Sequence, residues 1–375
     1  MSGQPGRPAD TTVSSAHPTG LSTLDIRDFR NFEHLQLDFA PGLNLITGTN
    51  ASGKTSLLEA IYYLARVRSF RTSEADQPIR YGQSAFRLVG QVVSAAGPRV
   101  TVGIERADRR YTVHLAGQPV RRLSDLAGNF PVQVFSSDTA SVLSGGPRQR
   151  RHTLDWALFH VEQGYRDTWQ RYVRVLRQRN AALRMHASKS EITAWDAELL
   201  ETASTMDSMR RAYIEGLRPY LDAETTRLLP GTRLTLQYLP GWPAAASSLA
   251  DALAQGLNRD QAQGYTHHGP HRADFRLLLD DHPVSAHCSR GQQKSVLLGL
   301  MLAQVCYQQS KGGSAGAFLL DDLTSELDRA HQARVLQALR ELDAQVFVTA
   351  IQPDQVDLTA WQPERLFHVE HGSVQ

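Results

Sequence analysis

After a polar opening, apolar and polar residues alternate in short runs: Leu24 and Ile26, then Leu35, Leu37 and Phe39, then Leu43, Leu45 and Ile46. A period of two over such lengths predicts strands. The period then changes. Leu57, Leu58, Ile61, Leu64 and Ala65 fall at helical spacing, so a helix is expected over 56–66, joined to the preceding strand by a glycine-bearing turn. Alternation returns at Phe86/Leu88, Val100/Val102/Ile104 and Tyr111/Val113/Leu115, with turn formers at 95–98 and 107–110, which predicts an antiparallel meander. Beyond Gly145-Gly146-Pro147 the pattern is helical and arginine-rich to about Leu229, as in Leu154/Leu158/Val161, Tyr172/Val175/Leu176 and Leu199/Leu200/Ala203. Strands are expected again over 234–238 and 275–279. A helix over 289–307, an apolar strand over 317–320, a helix over 327–342 and a strand over 346–348 follow.

Strand–helix alternation at both ends, interrupted by a helical middle, predicts one α/β domain built from both termini with an inserted helical lobe. The expected division is a disordered leader over 1–20, the first part of the α/β lobe over 21–145, a helical arm over 146–230 and the second part over 231–375. Two cysteines in 375 residues form no disulfide framework, and no apolar run reaches the length of a membrane span. A cytoplasmic protein without a membrane partner is expected.

Net charge is only +2, but it is unevenly placed. Residues 60–184 carry 20 Lys or Arg against 9 Asp or Glu, and the rest of the chain is net acidic. A polyanion facing the basic third is the expected reason. The backbone-contact candidates there are Arg148, Arg150, Arg151, Arg171, Arg174 and Arg177. Phosphate contacts from such residues are blind to base sequence and sensitive to salt.

Gly48-Thr49-Asn50-Ala51-Ser52-Gly53-Lys54-Thr55 fits G-x-x-x-x-G-K-[ST] between a strand and a helix, the context that this pattern needs. Its glycines let successive N–H groups curl around phosphates, and the helix N-terminus at Ser56 adds its dipole. Lys54 brings a compact charge to the β and γ phosphates; only four of the 40 basic residues are lysines, so the site demands an ammonium. Thr55 offers a hydroxyl to Mg²⁺. A nucleotide carrying β and γ phosphates is the expected ligand. The apolar strand ending in Asp321-Asp322 would deliver carboxylates to the same sheet edge, Asp321 for the metal and Asp322 for the attacking water. A second anion nest is expected at Ser289-Arg290-Gly291-Gln292, ahead of an amphipathic helix, although Ser289 is also a plain helix cap. Residues 54 and 289 lie 235 positions apart, so two helix ends in one sheet domain converge on one nucleotide only if a second copy supplies one of them.

GTNASGKT, SRGQQK, FLLDD and the following Ser325-Glu326-Leu327-Asp328 together resemble the ATP-binding-cassette ATPases of the SMC type, with 325–328 similar to their D-loop. More narrowly, FRNF at 29–32, RSFRT at 68–72 and GPHRAD at 269–274 resemble the bacterial RecF family, over the chain from about residue 22 to its end. The resemblance implies a P-loop ATPase head, a mixed sheet plus an antiparallel β subdomain, with a short helical arm. It implies ATP-driven dimers that sandwich two nucleotides, and slow, DNA-stimulated ATP hydrolysis. Loading at double-stranded DNA or single-strand/double-strand junctions, contact with RecR and linkage to RecO and RecA are implied as well. Gln133, between Pro131-Val132 and Val134-Phe135, is the candidate glutamine-loop residue, with an exposed strand position as its alternative. Relatives with a switch histidine carry it just after the strand that follows the D-loop. Here Val348-Thr349-Ala350-Ile351 has no imidazole, so hydrolysis is expected to be slow. A transport ATPase subunit would carry its signature much nearer the phosphate loop, and a small-molecule kinase would leave the second turn and the arginines unused. An architectural DNA binder with a structural nucleotide would pair without ATP.

Overall fold

The computed structural model describes residues 19–375 except 73, 75–76, 94–98, 108–109, 121–125, 127–128, 138–144 and 163. The expected leader up to residue 18, the turn over 95–98 and the centre of the turn over 107–110 lie outside the described residues. The first strand starts earlier than the alternation suggests: β1 runs Gly20–Phe29, with Leu21 buried.

Two six-stranded sheets enclose one helix. The first is antiparallel, in the order β2-β1-β4-β5-β6-β7, with β2 at Phe32–Asp38, β4 at Ala85–Val93, β5 at Val100–Ala107, β6 at Arg110–Leu115 and β7 at Gln118–Pro119. The second is ordered β15-β14-β3-β13-β12-β8, from β3 (Leu43–Thr47), β8 (Val132–Phe135), β12 (Ala317–Leu320), β13 (Gln345–Thr349), β14 (Arg365–Glu370) and β15 (Ser373–Val374). All of its pairings are parallel except β14 with β15. Helix α1 (Lys54–Arg66) starts two residues before the expected 56 and shares a core with both sheets: Leu57 and Ile61 join Leu24, Phe86, Leu319 and Phe347. Phe29 packs edge-on against both Tyr63 and Phe86.

The central strands β3, β12 and β13 are buried at every residue, as parallel strands covered on both faces must be. Their register pairs Leu320 with Val348 and Thr349 with Ile46, which brings three carboxyl-terminal strand ends to one edge. Such an edge is where open α/β sheets hold ligands. The expected elements omit β14, whose short alternation leaves only Phe367 and Val369 buried.

The helical part comprises α2 (Pro147–Val161), α3 (Tyr165–Arg184), α4 (Lys189–Thr193) and α5 (Asp196–Leu228). Helical structure packed on this part continues beyond residue 230. After β9 (Leu234–Leu239), α6 (Leu249–Gln263) packs on it through Leu257 with Leu183 and Ile192, and through an Arg179–Asp260 ion pair at 2.8 Å. Its apolar stripe is only Leu249, Ala252, Leu253 and Leu257, too thin to stand out in an alanine- and glutamine-rich stretch. A small sheet of β9, β10 (Asp274–Leu279) and β11 (His282–Pro283) leads through α7 (Val284–His287) to the long buried helix α8 (Arg290–Ser310). Helices α9 (Leu323–Glu326) and α10 (Arg329–Glu341) complete the α/β lobe. Among the described residues no helix is long and apolar enough to cross a membrane.

Candidate phosphate-binding site

The loop after β3 adopts the backbone that its glycines permit. Gly48 has φ +145 and Gly53 φ +124, and a Cβ at Gly48 would strike the Val369 carbonyl, so a larger residue is excluded. The Asn31 amide donates to the Ser52 carbonyl at 3.0 Å, and the Gly372 N–H reaches the same oxygen at 3.2 Å, clamping the loop from outside. Lys54 folds back into it. Its ammonium donates to the Gly48 and Thr49 carbonyls, both at 2.8 Å. Burial lowers its pKa, against the opposing pull of Asp322 and Asp321.

Thr55 and Asp321 meet although 266 positions separate them: the Thr55 hydroxyl donates to Asp321 Oδ1 at 3.0 Å. Thr349 donates to the same oxygen at 2.9 Å and accepts the Asp322 N–H at 2.7 Å, so one hydroxyl fixes both aspartates. Burial holds the Asp321 carboxyl above its usual range despite these two donors. Asp322 is exposed, in a left-handed conformation with φ 51, and its Oδ2 accepts the Ser325 hydroxyl at 2.7 Å. Asp328 caps α10, accepting the His331 N–H at 2.9 Å. Thr349 is the residue that sequence reasoning passed over, noticing there only a missing imidazole.

These groups fit a triphosphate with a hard cation. The Ser52 hydroxyl is buried without a hydrogen-bond partner. Lys54 pairs with no carboxylate among the described residues, and Thr55 with Asp321 offers the oxygen donors that magnesium prefers. No cluster of three His, Cys, Asp or Glu side chains suited to a transition metal occurs among the described residues.

Ser289 caps α8 in a reciprocal box: its hydroxyl accepts the Gln292 N–H at 3.3 Å, and the Gln292 side chain accepts the Ser289 N–H at 2.9 Å. Arg290, Gly291 and Gln292 are exposed at that helix end. No contact joins them to Lys54 or Thr55 of the same chain.

Gln133 departs from its expected place. Register sets it beside Phe318, three residues short of Asp321 at the sheet edge. Its buried amide points at the Met301 carbonyl of α8, 3.5 Å away, rather than toward the loop. The arginine candidates divide. Arg150 forms a two-pronged pair with Asp274 at 2.7 and 2.8 Å, and Arg151 donates to the Ala273 carbonyl at 2.7 Å. Both are spent on internal bonds and leave the set of backbone-contact candidates. Arg148, Arg171, Arg174 and Arg177 remain exposed, the last three along one side of α3, with Arg171 loosely paired to Glu198 and Glu201.

The shorter sequence segments also find partners. Glu59, fully buried one turn into α1, accepts Arg30 in two bonds at 2.8 and 2.6 Å, as well as the Ser69 hydroxyl, with Arg71 at 3.5 Å. It thus joins 29–32 to 68–72 behind the phosphate loop. The 269–274 segment is held by the arm, with Arg210 on the Pro270 carbonyl at 2.9 Å and Tyr172 on His271 at 2.6 Å.

The family model described as "RecF/RecN/SMC N terminal domain" matches residues 20–375. A protein described as "DNA replication and repair protein RecF" from Thioalkalivibrio sulfidiphilus is 41% identical over 356 residues, 95% of this chain and 99% of that one. Its namesake from Edwardsiella ictaluri is 39% identical, over 94% and 99%. Among solved structures, one described as "recombination mediator protein RecF-ATPrS in RecFOR pathway" superposes with a TM-score of 0.84 at 26% identity, over 96% of this chain and 99% of that one. An Smc head domain from Pyrococcus furiosus, at 14% identity over 95% of each chain and a TM-score of 0.59, shares the fold. Full-length identity near two residues in five, together with a phosphate loop, an acidic strand end and a capped turn at Ser289, places this chain in the RecF family of SMC-type ATPases.

Proposed function

We propose that this chain is an ATP-dependent DNA clamp or loader of recombinational repair, a slow ATPase that pairs with a second copy when ATP binds. The observation that carries the reading is the 3.0 Å bond between Thr55 and Asp321, which unites a phosphate loop with an acidic strand end. In this reading Gly48 to Ser56 cradle the phosphates and Lys54 neutralises the β and γ oxygens. Thr55 and Asp321 would hold magnesium, which when bound supplies charge neutralisation for the phosphates. Asp322 accepts the proton of the attacking water as the bond to the γ-phosphorus forms and ADP leaves, with Ser325 orienting its carboxylate.

Ser289 to Gln292 have no nucleotide partner in their own chain, which supports their use in trans: they close the site of the other copy, while Ser325 and Asp328 lie in the segment that faces it. Hydrolysis removes the shared γ-phosphate and loosens the pair. Exposed Arg148, Arg171, Arg174 and Arg177 would take DNA backbones, double-stranded or at single-strand junctions. Family membership supports RecR as the direct partner and RecO and RecA as functional ones, and the RecFOR description of the solved relative points the same way. The division into a head built from both termini with a helical arm between them belongs to this reading.

Phosphate release with and without double-stranded DNA tests it. Turnover is expected to be slow and DNA-stimulated; Lys54→Met loses ATP binding, and Asp322→Asn binds ATP but hydrolyses it poorly. Turnover indifferent to DNA, or undiminished in Lys54→Met, contradicts the proposal.

A further inference from the structure

Between the α/β lobe and the arm lies a cavity of about 950 Å³, walled by α1, β8, α2, α3 and α8. It is separate from the phosphate loop, and its chemistry is distinctive. Arg66, at the last turn of α1, enters it with the guanidinium 4.5 Å from the Trp156 ring and one bond, 3.2 Å, to the Val132 carbonyl. No carboxylate pairs with it among the described residues. Arg68, Arg148 and Arg151 line the same space with the ring of Trp169. The carboxylate on this wall, Asp155, is already taken by Arg210 at 2.7 Å and by the Tyr165 hydroxyl at 2.5 Å.

A desolvated guanidinium without a counter-ion is costly, and burial draws the Arg66 pKa down to about 10. His152 on the same wall is held down to about 4, by burial first and then by Arg68 and Arg66, with Asp155 opposing them. Cations beside indole faces match one ligand chemistry: a phosphate attached to a flat aromatic ring.

We propose that this inter-lobe cavity binds a single nucleotide unit, its phosphate on Arg66, Arg68 and Arg148 and its base against Trp169. A free mononucleotide and the terminal nucleotide of a DNA strand present the same chemistry. The volume accommodates either. The site stands independently of the triphosphate reading.

Tryptophan fluorescence of the full-length protein, with the phosphate loop saturated by a non-hydrolysable ATP analogue, tests it. The probes are thymidine 5′-monophosphate, a 5′-phosphorylated thymidine tetranucleotide and inorganic phosphate. Saturable quenching by the first two is expected, weakened about tenfold or more in Arg66→Gln and in the surface variant Arg148→Gln. Equal affinity for the two thymidine probes assigns the site to free nucleotides, and much tighter tetranucleotide binding assigns it to strand ends. No quenching, quenching indifferent to both arginine variants, or inorganic phosphate competing as well as the mononucleotide overturns the proposal.

Discussion

Lys294 Nζ, one turn into α8, lies 2.6 Å from Glu326 Oε2, in the short helix that follows Asp322. Both side chains are largely shielded, at 20% and 10% exposure, so the pair is worth more than an open surface ion pair. It links α8 to α9 within one chain, and in the proposed dimer these are the signature and D-loop segments that face a partner's nucleotide. Lys294→Gln and Glu326→Gln are each expected to weaken ATP-driven pairing, and the double variant to be no worse than either. A double-mutant cycle on the pairing constant should return a coupling of about 0.5–3 kcal/mol; strictly additive losses would count against the link.

Thr349 bonds to both aspartates at the sheet edge. Thr349→Val keeps the shape and removes the hydroxyl, leaving the Asp322 N–H and one Asp321 contact unmade. ATP turnover should fall about 10- to 100-fold, as for other residues that orient ligand-bearing groups. Thr349→Ser should restore most of it, with unfolding midpoints unchanged in the serine variant.

Acid should loosen the arm through His271. Its Nδ1 meets the Tyr172 hydroxyl at 2.6 Å and its Nε2 the Thr266 carbonyl at 3.0 Å, an arrangement satisfied by the neutral ring with its proton on Nε2. Burial first, aided by Arg272 and Arg151, lowers its pKa from 6.5 to about 4, although the Thr266 bond opposes this. The unfolded chain therefore takes up this proton at a higher pH than the folded one. The stability that the neutral ring supplies is complete above 6.5 and is lost as pH falls toward 4, about 3 kcal/mol in all. Denaturant midpoints between pH 7 and pH 4.5 should show the decline, and His271→Gln should flatten it.

Arg179 is fully buried between Asp196 and Asp260, at 2.8 Å from each, with Thr266 at the same distance. Arg179→Met leaves Asp260 buried, with His267 as its remaining partner at 2.7 Å. A loss of about 3–5 kcal/mol is expected in urea unfolding. An effect under 1 kcal/mol would mean that the arm is held by its apolar contacts alone.

The phosphate loop is legible in the sequence because its chemistry needs contiguous residues, and the Asp321-Asp322 strand end because four apolar residues precede it. What escapes depends on long-range register. Nothing local distinguishes Gln133 at mid-strand from a residue at the edge, and only the pairing with Phe318 shows how far it falls short. The Glu59 hub is invisible for the same reason, since a glutamate amid Leu57, Leu58 and Ile61 declares its burial only when Arg30 and Arg71 arrive from other segments. Arg150 and Arg151 look like DNA contacts by composition, yet the 269–274 segment consumes them. Strand β14 is hidden because its inward-facing set is only Phe367 and Val369, and its place between β15 and β3 is fixed by long-range pairing.

Sedimentation of the full-length protein with ATP, with ADP and without nucleotide addresses the central claim most directly. Wild type should be dimeric with ATP and monomeric otherwise, whereas Ser289→Arg should bind ATP normally yet stay monomeric. A monomer under saturating ATP, a dimer indifferent to nucleotide, or unimpaired pairing by Ser289→Arg would contradict a γ-phosphate shared between two copies.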